Sequence, residues 1–157
     1  MNQRIANLLG LLAMIGLAII TVSGCANAHS DYRKIHELVI NGDLNGVTQD
    51  LNTFPGDIRL TDDNRQTPLH LAAIHCRTNV LVLLLERGAK VDARAKGEVT
   101  PLHLAAQAGC LDSVSILLSH GAEINARDSA GHTPLTRAGE WGQTAVVSYL
   151  RTQGGKD

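Results

Sequence analysis

The strongest constraint on this chain is a four-residue motif that returns at a fixed distance. Thr67-Pro68-Leu69-His70 recurs as Thr100-Pro101-Leu102-His103 and, with one change, as Thr133-Pro134-Leu135-Thr136. The copies begin at residues 67, 100 and 133, which is a step of 33 residues both times. Such a period is typical of a chain that stacks copies of one supersecondary unit. Three further sets keep the same step: Ala72, Ala105 and Ala138; Gly88, Gly121 and Gly154; Leu84, Leu117 and Leu150.

Each unit has the sequence pattern of two short helices. Thr67 is a suitable cap for a helix whose first position is Pro68, where a missing N–H is harmless. Apolar residues at helical spacing then predict a second helix over about 79–87, which Gly88 ends. Helices this short are unstable alone in water, so neighbouring units must support them. The predicted fold is therefore all-α, with a core shared between units.

The composition limits which residue types can build the core and which classes of partner the protein can bind. Aromatic residues make up only 3% of the chain, so the core must be built from Leu, Ile, Val and Ala. The 14 basic residues are balanced by 15 acidic ones. Binding of nucleic acid by phosphate neutralisation would need a basic patch, which this balance does not provide.

The first residues resemble an export signal. Arg4 precedes an apolar run over 5–22, and Val22-Ser23-Gly24-Cys25 is similar to a bacterial lipobox, in which the cysteine is lipidated and becomes the mature N-terminus. Ala26 at the next position favours the outer membrane. Two alternatives stay open: cleavage after Ala28, which releases a soluble periplasmic protein, and an uncleaved anchor, since the run approaches the length of a membrane span. We expect a signal peptide at 1–24 and a linker at 25–30.

The terminal units depart from the pattern. The first matches the others at an offset of 34 rather than 33, with one surplus residue between Leu51 and Ile58. In the last, Arg151 stands where Leu85 and Leu118 stand earlier, which indicates an uncovered face and a C-terminal cap. We expect a repeat domain at 31–155 with units at about 31–61, 62–94, 95–127 and 128–155.

These motifs resemble those of ankyrin-repeat proteins. The resemblance implies an all-α solenoid of about four helix–turn–helix–hairpin units with a concave binding face. Three residues depart from the family pattern. Cys76 replaces a glycine that Gly109 and Gly142 retain, whereas Arg65 and Glu98 replace the hairpin glycine retained as Gly131. We expect those two hairpins to be less regular.

The resemblance also gives the motif histidines a structural role. His36, His70 and His103 occupy the position whose imidazole, in this family, hydrogen-bonds the turn to the neighbouring repeat. No ligand pair at zinc-site spacing and no nucleophile–base set is evident in the sequence. We therefore expect no metal, no cofactor and no catalytic activity.

Cys76 and Cys110 are candidates for a disulfide. They lie 34 residues apart, at nearly equivalent turns of adjacent repeats, and thiols in an oxidising compartment often pair. Stacked helices are about 8–10 Å apart, however, while a disulfide needs Cα atoms within about 7 Å. A disulfide and two separate thiols both remain open.

The resemblance places the partner-binding residues at the hairpin tips and at the exposed ends of the first helices. Trp141 is the only tryptophan, and it either anchors a partner or packs against the C-terminal cap. The predicted set is Asp63, Asn64, Gln66, Ile74, His75, Lys96, Val99, Gln107, Ser129, His132, Glu140 and Trp141.

The sequence thus predicts a monomeric, non-catalytic scaffold of the bacterial cell envelope that binds an unidentified protein and is tethered to the membrane through Cys25. The alternative function is a periplasmic inhibitor or chaperone of one enzyme, such as a toxin or an oxidative-stress enzyme.

Overall fold

A computed structural model of the chain describes residues 28–157, with side chains from Lys34 onward. The predicted signal peptide, Cys25 and most of the linker lie outside the described residues. Within 28–157 the chain forms eight α-helices and no strands, as predicted. No helix in this part has the length and apolar character needed to cross a bilayer. The helices are α1 (Ala28–Asn41), α2 (Leu44–Thr53), α3 (Pro68–Ile74), α4 (Thr78–Glu86), α5 (Pro101–Ala108), α6 (Leu111–Ser119), α7 (Pro134–Glu140) and α8 (Thr144–Thr152).

The helices form two stacked layers. The first helices of the repeats, α1, α3, α5 and α7, each contact the next in that order, and the second helices, α2, α4, α6 and α8, do the same. Each first helix also packs against the second helix of its own repeat. A repeat therefore contacts only its neighbours, as expected of a solenoid.

One apolar core runs through all four repeats. Leu84, Leu117 and Leu150 are fully buried at the same position of three successive second helices. Ala72 and Ala105 are fully buried in the first helices, where their small side chains let adjacent helices approach closely. The residues that the repeat pattern assigned to the core are thus the residues that build it.

The motif starts each first helix in the same way. Thr67 and His70 form a reciprocal capping box, and Thr100 and His103 form another. In the fourth repeat the Thr133 hydroxyl accepts a hydrogen bond from the Thr136 N–H at 3.2 Å. These contacts satisfy N–H groups that a helix start would leave without partners.

The two hairpins in which Arg65 and Glu98 replace the glycine retained as Gly131 differ from each other in backbone conformation. Arg65 adopts a left-handed φ of 59°, close to the 85° of Gly131, and keeps the same hairpin hydrogen bond. Glu98 also has a φ of 59° and keeps the equivalent hydrogen bond, but Gly97 beside it is left-handed as well, so two adjacent residues of this hairpin have a positive φ. The expectation of less regular hairpins is therefore wrong for Arg65 and correct for Glu98.

The first repeat carries a buried charge where the others carry leucine. Asp50, at the position of Leu84, is 4% exposed, and its Oδ1 lies 3.2 Å from Lys34 Nζ. The segment between Leu51 and Ile58, which holds the surplus residue, includes the start of a short 3-10 helix, Pro55–Arg59. This repeat therefore departs from the pattern in its core as well as in its spacing.

Candidate functional site

The motif histidines join each repeat to the hairpin of the next. The Nε2 atoms of His36, His70 and His103 lie 3.3, 3.1 and 3.0 Å from the carbonyl oxygens of residues 66, 99 and 132. In His70 and His103 the Nδ1 atom accepts from a threonine N–H, so Nε2 carries the hydrogen and donates it. The predicted structural role is confirmed.

The burial of His70 and His103 determines the charge state of their two imidazoles. Burial lowers the pKa of His70 and of His103, and the hydrogen bonds to the next repeat raise it only in part. Both rings are therefore held neutral. In residues 34–157 no three His, Cys, Asp or Glu side chains are grouped as a metal site would require.

The predicted binding residues occupy equivalent positions in successive repeats, and these positions are called the edge below. They occupy the three hairpins at 63–66, 96–99 and 129–132 and the last residues of α3, α5 and α7. The last set includes the residues that cap α3 and α7, His75 and Trp141. Asp63, Asn64, His75, Lys96, Ser129, Glu140 and Trp141 are exposed, while Gln66, Ile74, Val99, Gln107 and His132 are half-buried.

The hairpins are held by hydrogen bonds within each repeat and between adjacent repeats. Asp62 Oδ1 accepts from the N–H groups of Asn64 and Gln66 at 2.9 and 2.7 Å. Between repeats, the Lys96 N–H donates to the Asn64 carbonyl at 2.8 Å, and the Ser129 N–H donates to the Gly97 carbonyl at 2.8 Å. The hairpin side chains therefore stand on a backbone whose polar groups are already paired.

The fourth hairpin has a buried ion pair that the sequence reasoning missed. Arg137 stands where Leu71 and Leu104 stand in the other repeats, and its Nε donates to Asp128 Oδ2 at 3.0 Å. Burial raises the pKa of the Asp128 carboxyl, but hydrogen bonds from Arg137 and from the backbone N–H groups of residues 130 and 132 outweigh burial and lower it. The carboxylate therefore stays ionised.

Trp141 is the most exposed large apolar residue in the described part of the chain, at 59%. Its indole is therefore not covered by the C-terminal residues. Beside it, Glu140 Oε1 lies 3.4 Å from His132 Nε2. The equivalent residues of the two preceding repeats are His75, which is exposed, and Ala108, which is half-buried. The edge thus carries two exposed rings with a small side chain between them.

A second set of contacts links the helix turns of adjacent repeats. The sequence indicated only one of them, the Cys76–Cys110 disulfide, and only as one of two alternatives. At the first junction, between the first and second repeats, Arg77 Nε donates to the Ile40 carbonyl at 2.9 Å. At the third junction, between the third and fourth repeats, Gln143 Nε2 donates to the Gln107 carbonyl at 3.2 Å. Gly109 ends α5 in a left-handed conformation with φ 76°, which favours glycine, and a Cβ added there would also displace the Gln143 side chain.

At the middle junction the tie is covalent. Cys76 and Cys110 are joined by a disulfide, with Cα atoms 5.4 Å apart. The spacing of the stacked helices did not predict this approach, because the turn that holds Cys76 leaves α3 in a left-handed conformation, with φ 52°. Cys76 is exposed, whereas Cys110 is 6% exposed.

Comparison with known proteins agrees with this architecture. The family described as ankyrin repeats (3 copies) matches residues 35–128. Human "Ankyrin repeat domain-containing protein 7" is 33% identical over 60 residues, which is 38% of this chain and 24% of the relative. The chain therefore spans about a quarter of the length of that relative.

Proposed function

The chain belongs to the ankyrin-repeat family, and we propose that it is a non-catalytic scaffold that binds one protein partner through its hairpin tips and the exposed ends of α3, α5 and α7. Ankyrin repeats are in general protein–protein interaction modules. The finer assignment to this edge is supported by the separation between buried residues that the repeats share and exposed residues that differ between them.

The observation that carries the proposal is an exposed aromatic side chain, Trp141, at the end of a helix whose start and hairpin are held by hydrogen bonds. Trp141 is 59% exposed at the end of α7, whose start is fixed by the Thr133 cap and whose hairpin is held by Asp128. Binding energy concentrates in such aromatic residues. Because the hairpin backbone is already ordered, little conformational freedom remains to be lost on association.

The proposal is tested by crosslinking followed by affinity measurement. A photoreactive amino acid placed at Ser129 is expected to capture the partner in intact cells, whereas the same group at Asn79, which is exposed on α4, is expected to capture none. With the partner purified, Trp141→Ala together with Ile74→Ala should weaken binding at least about tenfold.

Phe54 supplies the matched control. It is 48% exposed but lies after α2, away from the predicted edge, so Phe54→Ala should leave the affinity unchanged. Equal affinities for the double variant and the parent protein, with both folded, would contradict the proposed face. An activity of the isolated protein on a small-molecule substrate would contradict its non-catalytic assignment.

For location, we propose an outer-membrane lipoprotein that faces the periplasm. The support is the sequence Val22-Ser23-Gly24-Cys25, which is similar to a bacterial lipobox. The intact mass of the mature protein tests this: a diacylglyceryl group on Cys25 is expected, and Cys25→Ser should abolish it. A mature protein that starts at His29, or one that retains residues 1–24, would overturn the assignment.

A further inference from the structure

The middle junction depends on a different chemistry from its neighbours. The outer two junctions use hydrogen bonds from Arg77 and Gln143 to the preceding turn, which are independent of redox conditions. The middle junction uses the Cys76–Cys110 disulfide at the corresponding place. Only this tie can be opened by electron transfer.

The two cysteines differ in their exposure to solvent. Cys76 is exposed and lines a surface pocket of about 220 Å³ together with Asn41, Gly42, Arg77 and residues 78–80. Cys110 is 6% exposed and does not line that pocket. A thiolate that enters the pocket therefore meets the sulfur of Cys76 first, and the Arg77 guanidinium there attracts its negative charge.

We propose that the Cys76–Cys110 disulfide is a thiol-exchange site at which a dithiol reductant opens the junction between the second and third repeats. The reductant thiolate attacks Cys76 Sγ, the Cys76–Cys110 bond breaks, and Cys110 leaves as a thiolate that takes up a proton. The second thiol of the reductant then attacks the reductant's own sulfur and releases Cys76. Two electrons pass to the protein, and the reductant becomes a disulfide.

Opening the disulfide leaves this junction without a tie between its helix turns. The short Cys110 side chain has no amide or guanidinium to make the hydrogen bond that Gln143 and Arg77 make. Cys76 would then hold a left-handed φ of 52° without the covalent constraint, where the equivalent residues are glycines. The bond from His70 to the next hairpin persists, so the stack stays folded while this turn opens more readily.

The site of attack can be mapped with a monothiol. The full chain, with Cys25→Ser so that its third cysteine takes no part, is treated with glutathione under native conditions, and free thiols are alkylated before mass spectrometry. Glutathione is expected on Cys76, with the alkyl group on Cys110. Glutathione on Cys110, or no cleavage until the protein is unfolded in urea, would overturn the proposal.

The consequence is measured by hydrogen exchange before and after dithiothreitol. Amides at 74–80 and 108–113 should exchange at least about fivefold faster in the reduced protein, while those at 141–147 stay unchanged. The matched control is Cys76→Gly with Cys110→Gln, which copies Gly109 and Gln143 and should stay slow under both conditions. Equal exchange in the oxidised and reduced parent would contradict the inference. Neither readout involves a partner, so failure here is distinct from failure of the proposed binding function.

Discussion

Two columns of residues run along this molecule with opposite properties. The motif column consists of the buried histidines His36, His70 and His103. The ring of His103, for example, is hydrogen-bonded to Thr100 and to the hairpin of the next repeat, and this residue is 1% exposed. The edge column consists of His75, Ala108 and Trp141 at equivalent helix ends, and Trp141 in it is 59% exposed. The first three repeats share the histidine of the first column, whereas the repeats differ in the second column. Folding free energy is therefore concentrated where the repeats agree, and we propose that binding specificity lies where they differ.

Removing a motif histidine is expected to give the largest effect. His103→Ala deletes the hydrogen bonds to Thr100, leaves a cavity in the core and removes one of the two donors to the residue 132 carbonyl, which keeps only the Asp128 N–H. We therefore expect a loss of about 3 kcal/mol in the free energy of unfolding. Urea unfolding measures it. His75→Ala is the matched control on the exposed edge and should change stability by less than about 0.5 kcal/mol. Similar losses for both variants would remove the distinction between the columns.

The fourth hairpin gives the next largest effect, because there a residue that departs from the shared pattern is partly buried. Arg137→Leu restores the residue found at Leu71 and Leu104 but leaves the Asp128 carboxylate buried beside an apolar side chain. We expect a loss of about 2 kcal/mol, measured by urea unfolding at pH 7. A stability gain would mean that the ion pair is replaceable by apolar packing.

The buried imidazoles predict a pH dependence whose sign follows from their lowered pKa values. The folded-state pKa of His70 and of His103 lies below the 6.5 of a free histidine, so the unfolded chain takes up protons first as pH falls. Their contribution is complete above about pH 6.5 and is lost below it. Asp128 titrates at lower pH, because its pKa is lowered from 3.8.

Urea unfolding between pH 7.5 and pH 5 checks this dependence. The parent protein should lose stability across this range, and His103→Gln should show a weaker dependence. His120→Gln, which changes an exposed histidine, should follow the parent. Stability that rises as pH falls through this window would contradict the account of the motif column.

The left-handed hairpin residue gives a smaller effect of the opposite sign. Arg65→Gly removes the cost of a side chain at φ 59° and should stabilise the protein by about 0.5–1 kcal/mol in urea unfolding. Gly131→Ala makes the reverse change at the equivalent position and should destabilise by a similar amount. If both substitutions are neutral, backbone conformation does not limit these hairpins.

The sequence predicted the motif column and missed most of the ties at the turns, for a physical reason. The second and third copies of the motif make the same contacts and the fourth keeps its Thr-Pro-Leu, so the same residue types recur and the period is visible. At the turns the same task is performed by Arg77, by Cys110 and by Gln143, through three different groups. No repeated letter marks the position. Only the folded structure shows that each of the three side chains contacts the turn of the preceding repeat.

The buried charges were missed for a related reason. Asp50 and Lys34 stand where a leucine and a proline were expected, and Arg137 stands where a leucine was expected. A charged residue in place of an apolar one predicts an exposed position unless its ion-pair partner is known. Lys34 and Asp50, like Arg137 and Asp128, are too far apart in sequence for their spacing to reveal the pairing. The burial of Asp50 and Asp128 became evident only with the fold.

The central claim, that shared residues fold the protein and differing residues bind its partner, is tested most directly by measuring one variant twice. Trp141→Ala should change the free energy of unfolding by less than about 0.5 kcal/mol, since the indole is 59% exposed, and should weaken partner binding at least about tenfold. A loss of about 2 kcal/mol in stability with unchanged partner affinity would contradict the claim, because it would place Trp141 with the residues that build the fold.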